Sequence, residues 1–263
     1  MPLKYFTCQR GKVLISECLN NCPDRCMSLP KLYSISDQRI WNGKASTTML
    51  MNPTRMEYLK ITRDYSVNPK QRAYAIFGTY QHHRLDIVAK KLKELESEKK
   101  LENETNSGIL DLLEPDEKNI GKWKLVDYKF WGAYAVKKMY DKTTYEYNHN
   151  SLQLNDYRIK VEPLGFPISR MLWEITIRDG NTKTMNEYEL DDPMPTIECE
   201  RMDDDSVIDY FYQKNELLLN ALKTNTLPPL CDFEERWNGR RCKGSLCEIH
   251  EFCPEGRKIN RLD

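Results

Sequence analysis

Apolar positions along the chain recur at two periods, one helical and one strand-like, and their order predicts a mixed α/β protein. Ser28-Leu29-Pro30-Lys31-Leu32 reads as a cap and proline entry to a short helix. Asn52-Pro53-Thr54-Arg55 opens a second, with Met56, Leu59 and Ile61 on its inner side. A third helix is expected from Asn68-Pro69 through Val88, with Tyr74, Ile76 and Phe77 packing ahead of Leu85 and Val88. It ends in a charged tail, residues 90–100, whose mixed signs at helical spacing predict a solvated face without function. From about Leu101 the pattern turns to strands. Ile109-Leu110-Asp111-Leu112-Leu113, a turn over residues 114–119, and Trp123-Lys124-Leu125-Val126-Asp127-Tyr128-Lys129-Phe130 predict a hairpin. Residues 132–140 and 151–161 read as helices, and residues 171–178 alternate as a strand before a turn at Asp179-Gly180-Asn181. Residues 207–222 predict an amphipathic helix with Val207, Ile208, Phe211, Leu217, Leu218 and Leu222 on its apolar positions.

Composition narrows the class. Forty basic residues balance 40 acidic ones, which excludes a uniformly basic nucleic-acid sleeve, and 40% apolar residues with 10% aromatics are enough for a core. With 263 residues, one large domain with extensions is expected. No apolar run approaches the roughly 20 residues a bilayer span needs, and the start lacks the pattern of a secretory signal. A cytoplasmic, reducing location is therefore expected. There, clustered thiols bind metal more often than they form disulfides.

Candidate chemistry lies on the hairpin. Asp111 and, sixteen residues on, Asp127 with Lys129 can converge at one strand edge, because Asp127 and Lys129 share a face while Tyr128 points away. Two carboxylates suit a hard divalent cation that acidifies a bound water and neutralises phosphate charge, and a lysine can position that water. The acids sit inside apolar runs, where an unpaired charge is costly, so their presence calls for a function.

Gly108-Ile109-Leu110-Asp111 followed by Leu125-Val126-Asp127-Tyr128-Lys129 resembles the core signature of the PD-(D/E)XK nucleases. Gly78-Thr79-Tyr80-Gln81-His82 is similar to the upstream helix of the RecB-type branch, and Gln153-Leu154-Asn155-Asp156-Tyr157 to its downstream Gln-x-x-x-Tyr helix. The four motifs span residues 78–157. The resemblance implies a restriction-endonuclease-like α/β core, a central mixed sheet flanked by helices. It implies Mg²⁺ or Mn²⁺ on His82, Asp111, Asp127 and the Tyr128 carbonyl, Lys129 as the catalytic lysine, and Gln153 and Tyr157 as its support. The register from Gly78 favours His82 over His83. Leu110 stands where the superfamily has its proline.

Cysteines cluster at both ends, Cys8, Cys18, Cys22 and Cys26 early and Cys231, Cys242, Cys247 and Cys253 late, with Cys199 between as an ordinary thiol. Several RecB-type nucleases, AddB and CRISPR-associated members among them, carry a 4Fe-4S cluster on one early and three late cysteines. This layout is similar, with Cys22 or Cys26 as the early ligand and Cys242, Cys247 and Cys253 as the late three. The family usually has two residues where this chain has four between Cys242 and Cys247. Local spacing allows instead a separate four-thiol site, iron–sulfur or zinc, at each end, with His250 as a substitute ligand. Either way, cysteine-bound metal is expected to tie down the termini.

The expected organisation is a cysteine-rich and helical segment over residues 1–67, a nuclease core over 68–225 and a cysteine-rich tail over 226–263. The resemblance implies a DNA exonuclease acting on single-stranded or duplex ends in replication, recombination or repair, of phage-encoded character and so acting in a host cytoplasm. Replication or recombination proteins are possible partners, as is self-association. An endonuclease of the same fold, a non-catalytic DNA- or partner-binding protein on that scaffold, and a zinc-finger-like reader compete with it. Candidate DNA contacts are Lys137-Lys138, Arg240-Arg241 with Lys243, Arg257-Lys258 with Arg261, and the rings of Trp131, Tyr134 and Trp237.

Overall fold

The computed structural model describes residues 3–261. Eight strands, β1 (Leu3–Cys8), β2 (Gly11–Leu14), β3 (Tyr65–Val67), β4 (Glu96–Glu102), β5 (Ser107–Pro115), β6 (Trp123–Trp131), β7 (Ile168–Ile177) and β8 (Thr196–Cys199), form a three-stranded and a five-stranded sheet with flanking helices. The chain is mixed α/β. Its contacts define two compact units, one of residues 46–51 and 78–212, the other combining residues 3–45, 52–77 and 213–261. Among the described residues no helix is long and apolar enough to cross a membrane.

The first unit holds the five-stranded sheet, in the order β4-β5-β6-β7-β8. The hairpin expected from sequence is present: β5 and β6 pair antiparallel from Leu112↔Val126 to Pro115↔Trp123. Asp116 fastens its turn, accepting from Lys118 N at 2.9 Å, Asn119 Nδ2 at 2.7 Å and Ser169 Oγ at 2.6 Å. β6 and β7 are parallel, so the chain must cross over between them, and the helices Ala133–Met139 and Tyr145–Val161 make that crossover. Their apolar faces (Val136, Met139, Leu154, Tyr157 and Val161) pack with Leu113, Leu125 and the fully buried Trp173 in the main core. A smaller cluster, Ala89, Leu112, Val126 and Leu172 with Leu95 and Tyr128 against it, forms apart from that core.

Two expectations are corrected here. The charged tail is not a helix throughout: from Glu96 it is the edge strand β4, antiparallel to β5 from Glu96↔Leu113 to Glu102↔Ser107. Backbone pairing along β5 outweighs the helical spacing of its charges, which an edge strand can leave in water while Leu101 enters the core. The expected helix from Asn68 to Val88 is two, Pro69–Arg72 and Ala75–Ala89, separated by tight turns in which Ile76 N donates to Ala73 O and Phe77 N to Tyr74 O. Tyr74, Phe77 and Val88, expected in the packing, are exposed, and Ala89 alone of the second helix is buried.

In the other unit β1 lies between β2, antiparallel, and β3, parallel. Gly11 closes the β1–β2 turn at φ +91°, which side chains with a Cβ rarely adopt. Buried Met56, Tyr58 and Leu59 of the helix Thr54–Thr62 anchor the C-terminal segment, and Arg55 Nε donates to Pro228 O at 2.8 Å and Tyr58 OH to Asn225 Oδ1 at 3.0 Å. Both cysteine-rich ends thus belong to one unit.

Candidate metal centre and thiol sites

The site forms where the five-stranded sheet forks. The β5–β6 ladder stops at Leu112↔Val126; beyond it β5 pairs with β4 and β6 with β7. Asp111 stands at the split, and its Oδ2 accepts the Tyr128 N–H at 2.7 Å, replacing the lost ladder bond. In an extended strand the N–H and C=O of one residue point to the same edge, so the Tyr128 carbonyl faces the fork as well. The inside–outside alternation slips at Asp111, since Leu110 and Leu113 join the main core while Leu112 joins the smaller cluster. Such a break re-aims a side chain and recurs beside functional sites.

Glu98 completes the site, and sequence reasoning missed it. It lies between the pairs Ser97↔Leu112 and Lys99↔Leu110, opposite Asp111, and the register of β5–β6 carried one step further sets Asp111 opposite Asp127. Three acids therefore occupy one cross-strand row, where like charges repel one another. Glu98 has φ +47°, a strained value for a residue with a side chain. His82, from the helix Ala75–Ala89, sets Nδ1 3.2 Å from Asp111 Oδ1 and 3.9 Å from Glu98 Oε1. One ligand atom from each of His82, Glu98 and Asp111 falls within 4.8 Å of the others. They line an open cavity of about 490 Å³ with Gly78, His83 and Asp86. His83 is exposed, and Asp86 is engaged by Lys90 at 2.6 Å and Ser97 at 2.7 Å.

Asp127 is buried, and its Oδ2 lies 2.6 Å from Lys129 Nζ. Burial pushes its carboxyl up to about 6, Asp111 adding to the rise and Lys129 opposing it. Lys129 also donates to Gln153 Oε1 at 3.0 Å, and Gln153 Nε2 donates to Tyr157 OH at 3.3 Å. The helix Tyr145–Val161 thus fixes the lysine through a residue pair four positions apart on one face. The hydrogen bond to Asp111 raises the His82 pKa, and burial raises that of Glu98. Both shifts hold these groups toward their protonated forms.

The eight clustered cysteines line two separate cavities. Cys231, Cys242, Cys247 and Cys253 surround one of about 20 Å³ with Met56, Leu230 and Ile249. His250 lies beside it, its Nδ1 2.8 Å from the Cys247 carbonyl. Burial pushes the Cys231 thiol up to about 12. Cys8, Cys18, Cys22 and Cys26 line the second, of about 430 Å³. All nine cysteines are free thiols. Cys199 packs in the main core, where burial pushes it up to about 12, an inert thiol.

No protein-family model and no curated protein matches this chain. Among solved structures, "Crystal structure of SSO0001" aligns over 91% of this chain and 93% of its own at 14% identity, with a TM-score of 0.47. A likeness that slight carries no argument, and the chemistry rests on the geometry above.

Several candidate DNA contacts are occupied by other work. Lys137 pairs with Glu189 at 2.9 Å, and Arg241 lies 4.8 Å from the Trp237 ring centroid while donating to Glu235 O at 3.2 Å. Trp131 packs against the main core near Lys129, and Tyr134 meets Tyr188 edge-on. Lys243, Arg257, Lys258 and Arg261 are exposed.

Proposed function

We propose that this chain is a divalent-metal-dependent deoxyribonuclease of the PD-(D/E)XK type and RecB branch, hydrolysing phosphodiester bonds at DNA ends. One observation carries the reading: His82, Glu98 and Asp111 converge on an open cavity at the sheet fork, with Asp127 and Lys129 on the adjoining strand. An imidazole nitrogen among carboxylate oxygens fits Mn²⁺ or Mg²⁺. His82, Glu98, Asp111 and Asp127 would hold the ion, with the Tyr128 carbonyl facing the same fork. When bound, the ion neutralises phosphate charge and lowers the pKa of a coordinated water.

The chain's own groups do the rest. Lys129, held between Asp127 Oδ2 and Gln153 Oε1, presents a fixed cation to the attacking water and to charge developing on the phosphate. Tyr157 steadies Gln153 and through it the lysine. The restriction-endonuclease-like arrangement belongs to the same proposal, supported by acids on adjacent central strands and a helical crossover between β6 and β7. Cys231, Cys242, Cys247 and Cys253 fit a structural iron–sulfur cluster or zinc: four soft donors face one small cavity, and binding there would stabilise the C-terminal segment.

The test is degradation of end-labelled linear DNA, single- and double-stranded, with Mg²⁺ or Mn²⁺ beside closed circles. Loss from ends that disappears in a folded Lys129→Ala variant is expected. Cutting of circles would make the protein an endonuclease, and no cutting by metal-replete wild type would leave a binding protein.

A further inference from the structure

The N-terminal thiols belong to a different unit from the proposed nuclease site and line a different cavity from the C-terminal thiols, and their placement follows from local structure. β1 and β2 form a hairpin with Cys8 paired to Gly11 at its turn. The helix Ile15–Asn21 follows directly, carrying Cys18, with Cys22 at its C-cap. A spacing of four sets these two side chains on one helical face with Cβ atoms roughly 5–6 Å apart. Cys26 comes four residues later, in a stretch without helix or strand. The four line one cavity.

Two further observations point to a cation. Within residues 3–26 only Leu3, Phe6, Cys18 and Leu19 are buried, so beyond the pairing of β1 with β3 little apolar surface fixes the β2 strand and the seven-residue helix. Arg10 Nη1 donates to Cys22 Sγ at 3.5 Å, and Arg10 and Lys70 line the cavity, positive charge beside thiols that would be thiolates in a metal complex.

We propose that residues 3–26 form a ββα module closed by one Zn²⁺ on Cys8, Cys18, Cys22 and Cys26, independent of the Cys231/Cys242/Cys247/Cys253 cavity. Four thiolates around one zinc carry a net charge of about −2, which Arg10 and Lys70 on the cavity wall reduce while Asp24 opposes them. Zn–S bonds of about 2.3 Å bring the sulfurs to roughly 3.8 Å from one another. Among the described residues no three of these sulfurs lie within 4.8 Å of each other, so binding draws the quartet together. Rotamer changes at Cys18 and Cys22 and a shift of the irregular stretch bearing Cys26 accomplish this, coupling metal to folding. Zinc then sets the position of β1, and β1 sets β3.

The full-length protein tests this without any activity measurement. Metal content is determined beside native-state alkylation mapped by mass spectrometry, with and without a chelator. The expected result is one zinc equivalent, beyond any metal on the C-terminal thiols, that Cys18→Ser/Cys22→Ser loses and Cys242→Ser/Cys247→Ser retains. In the wild type, Cys8, Cys18, Cys22 and Cys26 should be protected together and become reactive together on chelation. If the first variant does not fold, the wild-type alkylation pattern decides. Full reactivity of these four in metal-replete protein overturns the proposal, as does zinc undiminished in Cys18→Ser/Cys22→Ser. Iron retained on the quartet in Cys242→Ser/Cys247→Ser overturns the choice of metal.

Discussion

Gly108 links the packing of the five-stranded unit to the lysine that the proposed chemistry needs, and Gly108→Ala tests that link. A Cβ on Gly108 would lie 2.4 Å from Tyr157 Cε1, 3.1 Å from Tyr157 Cζ and 2.9 Å from Thr47 Oγ1. Carbon atoms in contact stand about 3.5–4.0 Å apart, so the ring must retreat by more than about 1 Å. It has little room, being 3% exposed, and Thr47 is held by Asp156 Oδ2 at 2.6 Å. Overpacking of this kind costs about 1–3 kcal/mol. At roughly 2–4 °C per kcal/mol for a chain this size, Tm should fall by about 2–12 °C. The displaced ring also withdraws its hydroxyl from Gln153, loosening Lys129, and a misplacement near 1 Å lowers the rate by about 10- to 100-fold. Thermal melts and DNA cleavage rates should be compared for wild type, Gly108→Ala, Tyr157→Leu and the double variant. The double variant should recover part of the Tm without recovering activity, since the smaller side chain relieves the clash but supplies no hydroxyl. Wild-type Tm and rate in Gly108→Ala would refute the Tyr157–Gln153–Lys129 linkage.

Glu98→Gln should weaken Mn²⁺ binding by about tenfold or more with an unchanged circular dichroism spectrum, because it removes a carboxylate from an edge strand; calorimetry showing wild-type affinity would place the ion elsewhere. The raised carboxyl of Asp127 sets a pH dependence. The folded protein keeps its proton between the ordinary 3.8 and about 6, where the unfolded chain releases it, so this group's contribution to stability falls as pH rises through that window. Metal-free wild type should therefore lose Tm relative to Asp127→Asn from about pH 4 to 6, and Mn²⁺ should reverse the loss. A parallel pH course for the two proteins would contradict the burial of this charge.

The hairpin was legible because its strands are apolar runs around a turn rich in Pro, Asp and Asn, and Asp127 and Lys129 followed from a period of two. Gln153 and Tyr157 were legible from their spacing once the helix was assigned, and the structure joins them to Lys129. Glu98 was not. Its strand is polar, with Leu101 its single buried residue, and the same charges fit a solvated helix equally well. Only the pairing partner, remote from any local pattern, decides the matter. The slip at Asp111 is hidden for the same reason: it belongs to the meeting of three strands, and no one segment encodes it. The exposed Tyr74, Phe77 and Val88 show the opposite failure, apolar residues at helical spacing that stay at the surface. Among the thiols, spacing alone left two groupings open; Cys8, Cys18, Cys22 and Cys26 line one cavity and Cys231, Cys242, Cys247 and Cys253 another.

The most direct test of the central claim is anomalous diffraction at the manganese edge from crystals of the protein soaked in Mn²⁺. The account predicts a peak at the sheet fork, in coordination distance of His82, Glu98 and Asp111, that disappears in Asp111→Asn. A fork without a peak, or manganese bound only elsewhere, would contradict it.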